Sequence, residues 1–166
     1  IIVVGDVDVD HVEAEIKKLF GPMKNPANAS PVVTENVPDN NTPIVIIDKD
    51  KEQTSTIVQM MMKRDATPDS VKGDVNYLVY EYVKGVGIGL LNDRLAEAAL
   101  KSDCPFVGAS ASVESYIFAK TKDAFSIAVS PKTTELTADA LRAAYTEALR
   151  AAQFGFTKTE YDRSKS

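Results

Sequence analysis

Hydrophobic positions along the 166 residues fall into runs of differing period, and each change of period marks an expected change of structure. Ile1-Ile2-Val3-Val4-Gly5 is apolar at consecutive positions, the pattern of a strand covered on both faces. A helix should follow. Asp10 is placed to cap it, Glu13 to reach back in a capping box, and Val12, Ile16, Leu19 and Phe20 form one stripe before Gly21-Pro22 stops it. From Gly21 to Pro43 the periodicity vanishes. Five of the eight prolines lie here (Pro22, Pro26, Pro31, Pro38 and Pro43), which predicts an extended linker.

Beyond the linker the pattern predicts one compact unit. Ile44-Val45-Ile46-Ile47 reads as a short strand. Thr54 to Met62 reads as a second, with Ile57 and Met61 on one face and Thr56, Val58, Met60 and Met62 on the other. Thr67-Pro68 should start a long helix whose stripe is Val71, Val75, Leu78, Val79, Tyr82, Val83 and Val86. Gly85, Gly87 and Gly89 should interrupt it before Leu90 to Leu100 resumes. Phe106–Val113 and Ala124–Val129 alternate as strands, joined as a hairpin through Ala119 to Asp123. Thr137 should cap the next helix, with Leu141, Tyr145, Ala148, Leu149 and Ala152 inside, and Gly155 should end it. Thr157 and Glu160 then form a second capping box, with Phe156 and Tyr161 as its hydrophobic staple. The order β, β, long α, β, β, α, α predicts an α+β domain with a largely antiparallel sheet.

This layout implies three parts. One strand and one helix cannot bury a core alone. Residues 1–21 therefore read as the tail of a preceding domain, 22–43 as a Pro-rich linker, and 44–166 as a domain truncated at its C-terminus.

Composition narrows the function classes. A net charge of −5 makes nucleic acid an unfavourable partner, because an acidic surface repels phosphate. No apolar run approaches the roughly 20 residues of a membrane span, and no signal-peptide pattern is present. Cys104 is the single cysteine, so no internal disulfide can form.

Each candidate chemistry fails on spacing. Asp6, Asp8, Asp10 and His11 suggest a calcium loop, but the sixth and twelfth positions hold His11 and Lys17 where Gly and Glu are needed. His11 is the only histidine, whereas H-E-x-x-H and H-x-x-E-H zinc sites need two. A Ser/His or Cys/His nucleophile would have to use that same His11, and Cys104, before Pro105, has no basic neighbour in sequence. Gly85-Val86-Gly87-Ile88-Gly89 is G-x-G-x-G after a helix, not G-x-G-x-x-G after a strand. Met60-Met61-Met62 reads as flexible core filling. No catalytic, cofactor-binding or metal-ligating residue is expected in this chain.

Four ordered stretches resemble the pitrilysin/insulinase-like zinc metallopeptidases, the inverzincins, and in particular their bacterial members. Val3-Val4-Gly5-Asp6-Val7-Asp8, with the helix ending Leu19-Phe20-Gly21, resembles the closing strand and helix of one domain of that family. Asn92-Asp93-Arg94-Leu95-Ala96-Glu97 resembles its "glycines, then Arg-Leu" helix start, and Phe106-Val107-Gly108-Ala109-Ser110-Ala111 the strand that follows. Gly155-Phe156-Thr157-Lys158-Thr159-Glu160-Tyr161, with Lys165, is similar to its "Gly-(Val/Phe)-Thr-x-x-Glu" start.

The resemblance implies a metallopeptidase-like (LuxS/MPP-like) half-domain with helices on one face of the sheet. It is of the non-catalytic, C-terminal type. The longer protein would hold Zn²⁺ through H-x-x-E-H and a distal Glu elsewhere and hydrolyse peptides with zinc-bound water. This chain would hold no cofactor and would help form the peptide-enclosing chamber. The implied partners are other domains of the same polypeptide and a peptide substrate, with a homodimer also admitted and a periplasmic or envelope location. Some members lend an Arg and a Tyr to the active site across the chamber. Here Phe106 stands where that Tyr would be, and Ala99 or Leu100 where the Arg would be, so those roles do not carry over. Two rivals remain: a domain of an inactive paralogue acting as scaffold or peptide-binding subunit, and an unrelated α+β binding module. The last predicts that Ile1 to Gly21 packs on the rest as one domain, and a first strand continuous with the later sheet would favour it.

Overall fold

The computed structural model describes residues 1–165 and divides them into two compact units, one spanning Ile1–Val33 and one running from Thr34 onward. In the first unit a single helix, α1 (Val9–Phe20), carries the apolar stripe. Its cap is Asp8 rather than Asp10. The Asp8 carboxylate accepts from the His11 backbone N–H at 2.9 Å, and the Asp8 carbonyl from Val12 at 3.0 Å. Glu13 makes no capping box; it pairs one turn on with Lys17. Ile1 to Gly5 forms no strand, and Ile2 and Val4 are 91% and 90% exposed. A ladder needs a partner strand, and the described residues of this unit offer none.

The second unit holds β1 (Val58–Asp65), α2 (Val75–Ala99), β2 (Phe106–Ala119), β3 (Lys122–Pro131), α3 (Thr137–Phe154) and α4 (Lys158–Arg163). The sheet is antiparallel with order β1-β3-β2. Its strands are β1, β3 and β2 alone among the described residues. Ile127 and Val129 of β3 meet Leu91 and Leu95 of α2 and Ala140 and Ala144 of α3 in one core, so the helices share one face.

Several boundaries differ from the sequence expectation, each for a local reason. Ile44–Ile47 forms no strand and stays exposed, because nothing pairs with it. β1 begins at Val58, four residues later than expected. It turns Val58 and Met60 toward the core, whereas Met61 and Met62 remain on the surface. Pro68 introduces only a 3₁₀ turn, Asp69–Val71; α2 starts at Val75, where the Asp74 carboxylate accepts from Asn76 N–H. The glycines do not break α2, whose turns beyond Gly89 are pinned to the sheet by Leu91 and Leu95.

α3 is rotated slightly from its expected face. Ala140 and Ala144 are fully buried, whereas Leu149 points out, since small side chains let the helix sit close on β3. A 3₁₀ turn, Thr134–Leu136, precedes it, and the Thr137 hydroxyl donates to the Thr134 carbonyl instead of capping.

Part of the Pro-rich stretch is bound to this unit. Lys122 is 4% exposed and holds Asp39 and Asp65 at 2.8 and 2.6 Å. The Pro38 and Glu35 carbonyls accept from Lys63 and Thr121. Both carboxylates raise the Lys122 pKa, so the ammonium stays charged despite its burial.

Candidate functional site

Three of the four stretches that carried the family resemblance lie in the second unit and meet at the second half of α2. Leu90, Leu91 and Leu95 bury one side of the helix, which fixes Asn92 and Arg94 in direction. Asn92 meets the outer edge of β2. Its side-chain N–H donates to the Ala111 carbonyl at 3.0 Å, and its oxygen accepts from the Ala111 N–H at 2.7 Å. The amide thus occupies the place of a neighbouring strand at an otherwise open edge.

Arg94 reaches α4. Its Nε and Nη2 donate to the two carboxylate oxygens of Glu160, and Nη2 also donates to the Gly155 carbonyl, the last two bonds each 2.9 Å. The guanidinium lies 4.6 Å from the centre of the Phe156 ring. The expected Thr157–Glu160 capping box is present, with Glu160 also accepting from the Thr157 N–H. Arg94 first, and the Thr157 N–H second, hold the Glu160 pKa down to about 2. Gly155 makes the tight exit from α3 with φ +69°, a conformation that favours glycine. Arg163 pairs with Glu97 at 3.0 Å across the same helices.

The bonds of Asn92, Arg94 and Glu160 tie α2 to β2 and to α4. Glu160 is a strongly held anion and a poor proton carrier near neutral pH. The Arg-Leu and Thr-x-x-Glu motifs therefore act as a structural clamp: Asn92 fixes β2, Leu95 fills the core, and Arg94 fixes α4.

The other candidates fall elsewhere. Asp8 and His11 lie in α1's first turn, and Asp6 and Asp10 are exposed. Cys104 is a buried free thiol between α2 and β2. Among the described residues, no three His, Cys, Asp or Glu side chains gather where they could hold a metal ion. With one histidine in the chain, the donor set does not fit the two-His, one-Glu zinc site of an inverzincin. Phe106 is 1% exposed, inside the core. It packs in the cluster that holds Leu91, Leu95, Ile127 and Val129. Ala99 packs on that core, and Leu100 is 87% exposed. No described helix is long and apolar enough to cross a membrane.

The fold is that of an α+β domain whose Asn92, Arg94 and Glu160 tie its elements together. The chain belongs to the family described as the peptidase M16 inactive domain, whose model matches residues 1–166. No curated protein matches it. Two solved structures are similar at 20% identity, and each covers 98% of this chain. One is the periplasmic protease PqqL from Escherichia coli, with a TM-score of 0.68; the other is the first half of the same protease, with a TM-score of 0.64. This chain spans 17% of the first and 33% of the second.

Proposed function

We propose that the chain is a non-catalytic domain of a longer zinc-dependent endopeptidase and helps wall the chamber that encloses the peptide. The observation that carries this reading is the match of the whole chain to the inactive domain of the M16 peptidases. The single histidine supports it, since zinc and the general base must then come from another domain. On this reading residues 1–21 close a preceding domain, 22–43 link it onward, and 44–166 form the wall; no residue of the chain is catalytic. The unpaired, exposed Ile1–Val4 is consistent with a strand whose sheet lies in that other domain. The similarity to a periplasmic protease supports a periplasmic location.

The test is metal and activity analysis of two proteins, the chain and the complete gene product. The chain should carry no stoichiometric zinc and cleave no peptide. The complete product should carry one zinc and lose its peptidase activity to a chelator. One zinc per isolated chain, or a zinc-free and inactive complete product, would sink the reading. The second result would favour the inactive paralogue.

A further inference from the structure

The first half of α2 is amphipathic in the opposite sense to a helix lying on its own core. Val75, Leu78, Val79, Tyr82 and Val83 are 56–72% exposed. The side in line with the buried Leu91 and Leu95 carries the half-buried Tyr77, Glu81 and Lys84, with Glu81 and Lys84 paired at 2.5 Å. At helical spacing Gly85 and Gly89 fall within the exposed apolar stripe. A side chain at either would meet nothing within 4 Å. The stripe contains no charged residue.

A soluble domain gains nothing by showing water a continuous valine, leucine and tyrosine face. Glycine is a poor helix former, and no close packing inside this chain explains Gly85 and Gly89. What two glycines one turn apart do allow is a close approach by another backbone along the helix. An uncharged face suits a permanent contact better than a transient one. Both matched structures are chains three to six times as long as the part this chain covers, so the covering element can be supplied by the same polypeptide.

We propose that the Val75–Gly89 face of α2 is covered by an α-helix from another domain of the same, longer polypeptide, packed closely over Gly85 and Gly89. The proposal rests on the reading of the chain as one domain of a longer peptidase. Its test uses the complete gene product, with Gly85→Leu and Gly89→Leu compared with Gly87→Leu, which lies off the stripe. Melting temperature, hydrogen–deuterium exchange over residues 75–89, solution mass, zinc content and peptidase activity are read together. Gly85→Leu and Gly89→Leu should each lower the melting temperature by about 3 °C or more, raise exchange over α2 at least about tenfold, and leave the mass unchanged. Gly87→Leu should do neither. A rise in melting temperature for all three variants would overturn the proposal, because a leucine facing solvent only improves the helix. Loss of a dimer in Gly85→Leu would overturn it in favour of a second copy as occupant. Zinc content and activity of the wild-type product judge the peptidase reading separately, so a zinc-loaded, active protein with an uncovered α2 would defeat this inference alone.

Discussion

The two halves of α2 are one continuous helix in two environments. The second half buries Leu90, Leu91 and Leu95 to 4% exposure or less and uses Asn92 and Arg94 to hold β2 and α4. The first half shows its apolar side to solvent. Hydrophobicity alone does not separate them, since the first half carries four valines and Leu78 and the second Ile88, Leu90, Leu91 and Leu95. The difference lies in which side of the cylinder faces this domain's own sheet. A long helix can therefore serve as core at one end and as a docking surface at the other.

The largest test of this contrast is a pair of leucine truncations in the isolated chain. Leu95→Ala empties a position with no exposure and should cost about 3–4 kcal/mol. Leu78→Ala, at 65% exposure, should stay within about 0.5 kcal/mol. Urea unfolding measures both. Equal losses would mean that the first half is packed in the free chain as well.

Next in size is Asn92→Ala. It leaves the Ala111 N–H and carbonyl without partners at a half-covered strand edge and should cost about 2–3 kcal/mol. An Asn92→Asp variant, which keeps one acceptor but cannot donate, should fall between the two. If Asn92→Ala proves neutral, water replaces the amide and the clamp at β2 is not a stability element.

The Arg94–Glu160 pair gives a smaller effect with a pH signature. Arg94→Met should cost about 2 kcal/mol near neutral pH, because it removes charge-assisted bonds at a partly covered site. Glu160 has a depressed pKa in the folded state, about 2 against an ordinary 4.5. Its contribution is thus complete above pH 4.5 and is lost as the pH falls toward 2. The melting temperature of the wild type should drop through that window more steeply than that of Arg94→Met, which keeps only the Thr157 share of the anion's stabilisation. Parallel curves would show that Arg94 does not hold the carboxylate.

How far the sequence could be read follows the same division between local and long-range causes. The Thr157–Glu160 box was legible because both partners lie within one turn. The β2–β3 hairpin was legible because alternation marks strands and the turn between them is short. The α+β class followed from element order, and the family from ordered short stretches. What escaped depends on partners far away in sequence. Ile44–Ile47 has the composition of a strand but no neighbour to pair with. Nothing in the sequence around Asn92 announces Ala111, or around Arg94 announces Glu160, 66 residues on. The burial of Phe106 depends on helices that the strand pattern does not name. The inverted first half of α2 was hidden because periodicity reports that a stripe exists and not whether its own domain covers it.

The smallest prediction turns on the glycines of that stripe's neighbourhood. Gly87 lies between the exposed face and the core side, and a Cβ there would meet nothing within 4 Å. Its φ is unexceptional for a helix, so alanine can adopt the same backbone. Replacing it restricts the unfolded chain and shields the helix backbone, and neither gain is offset by a clash. Gly87→Ala should therefore stabilise the isolated chain by about 0.5–1 kcal/mol, read as a higher urea midpoint at unchanged slope. The sign is the informative part. A gain marks Gly87 as a position at which this domain pays backbone entropy with no packing return of its own. A loss would mean that the helix is held near Gly87 by a contact the free chain already makes, and the contrast between the two halves of α2 would then be one of degree rather than of kind.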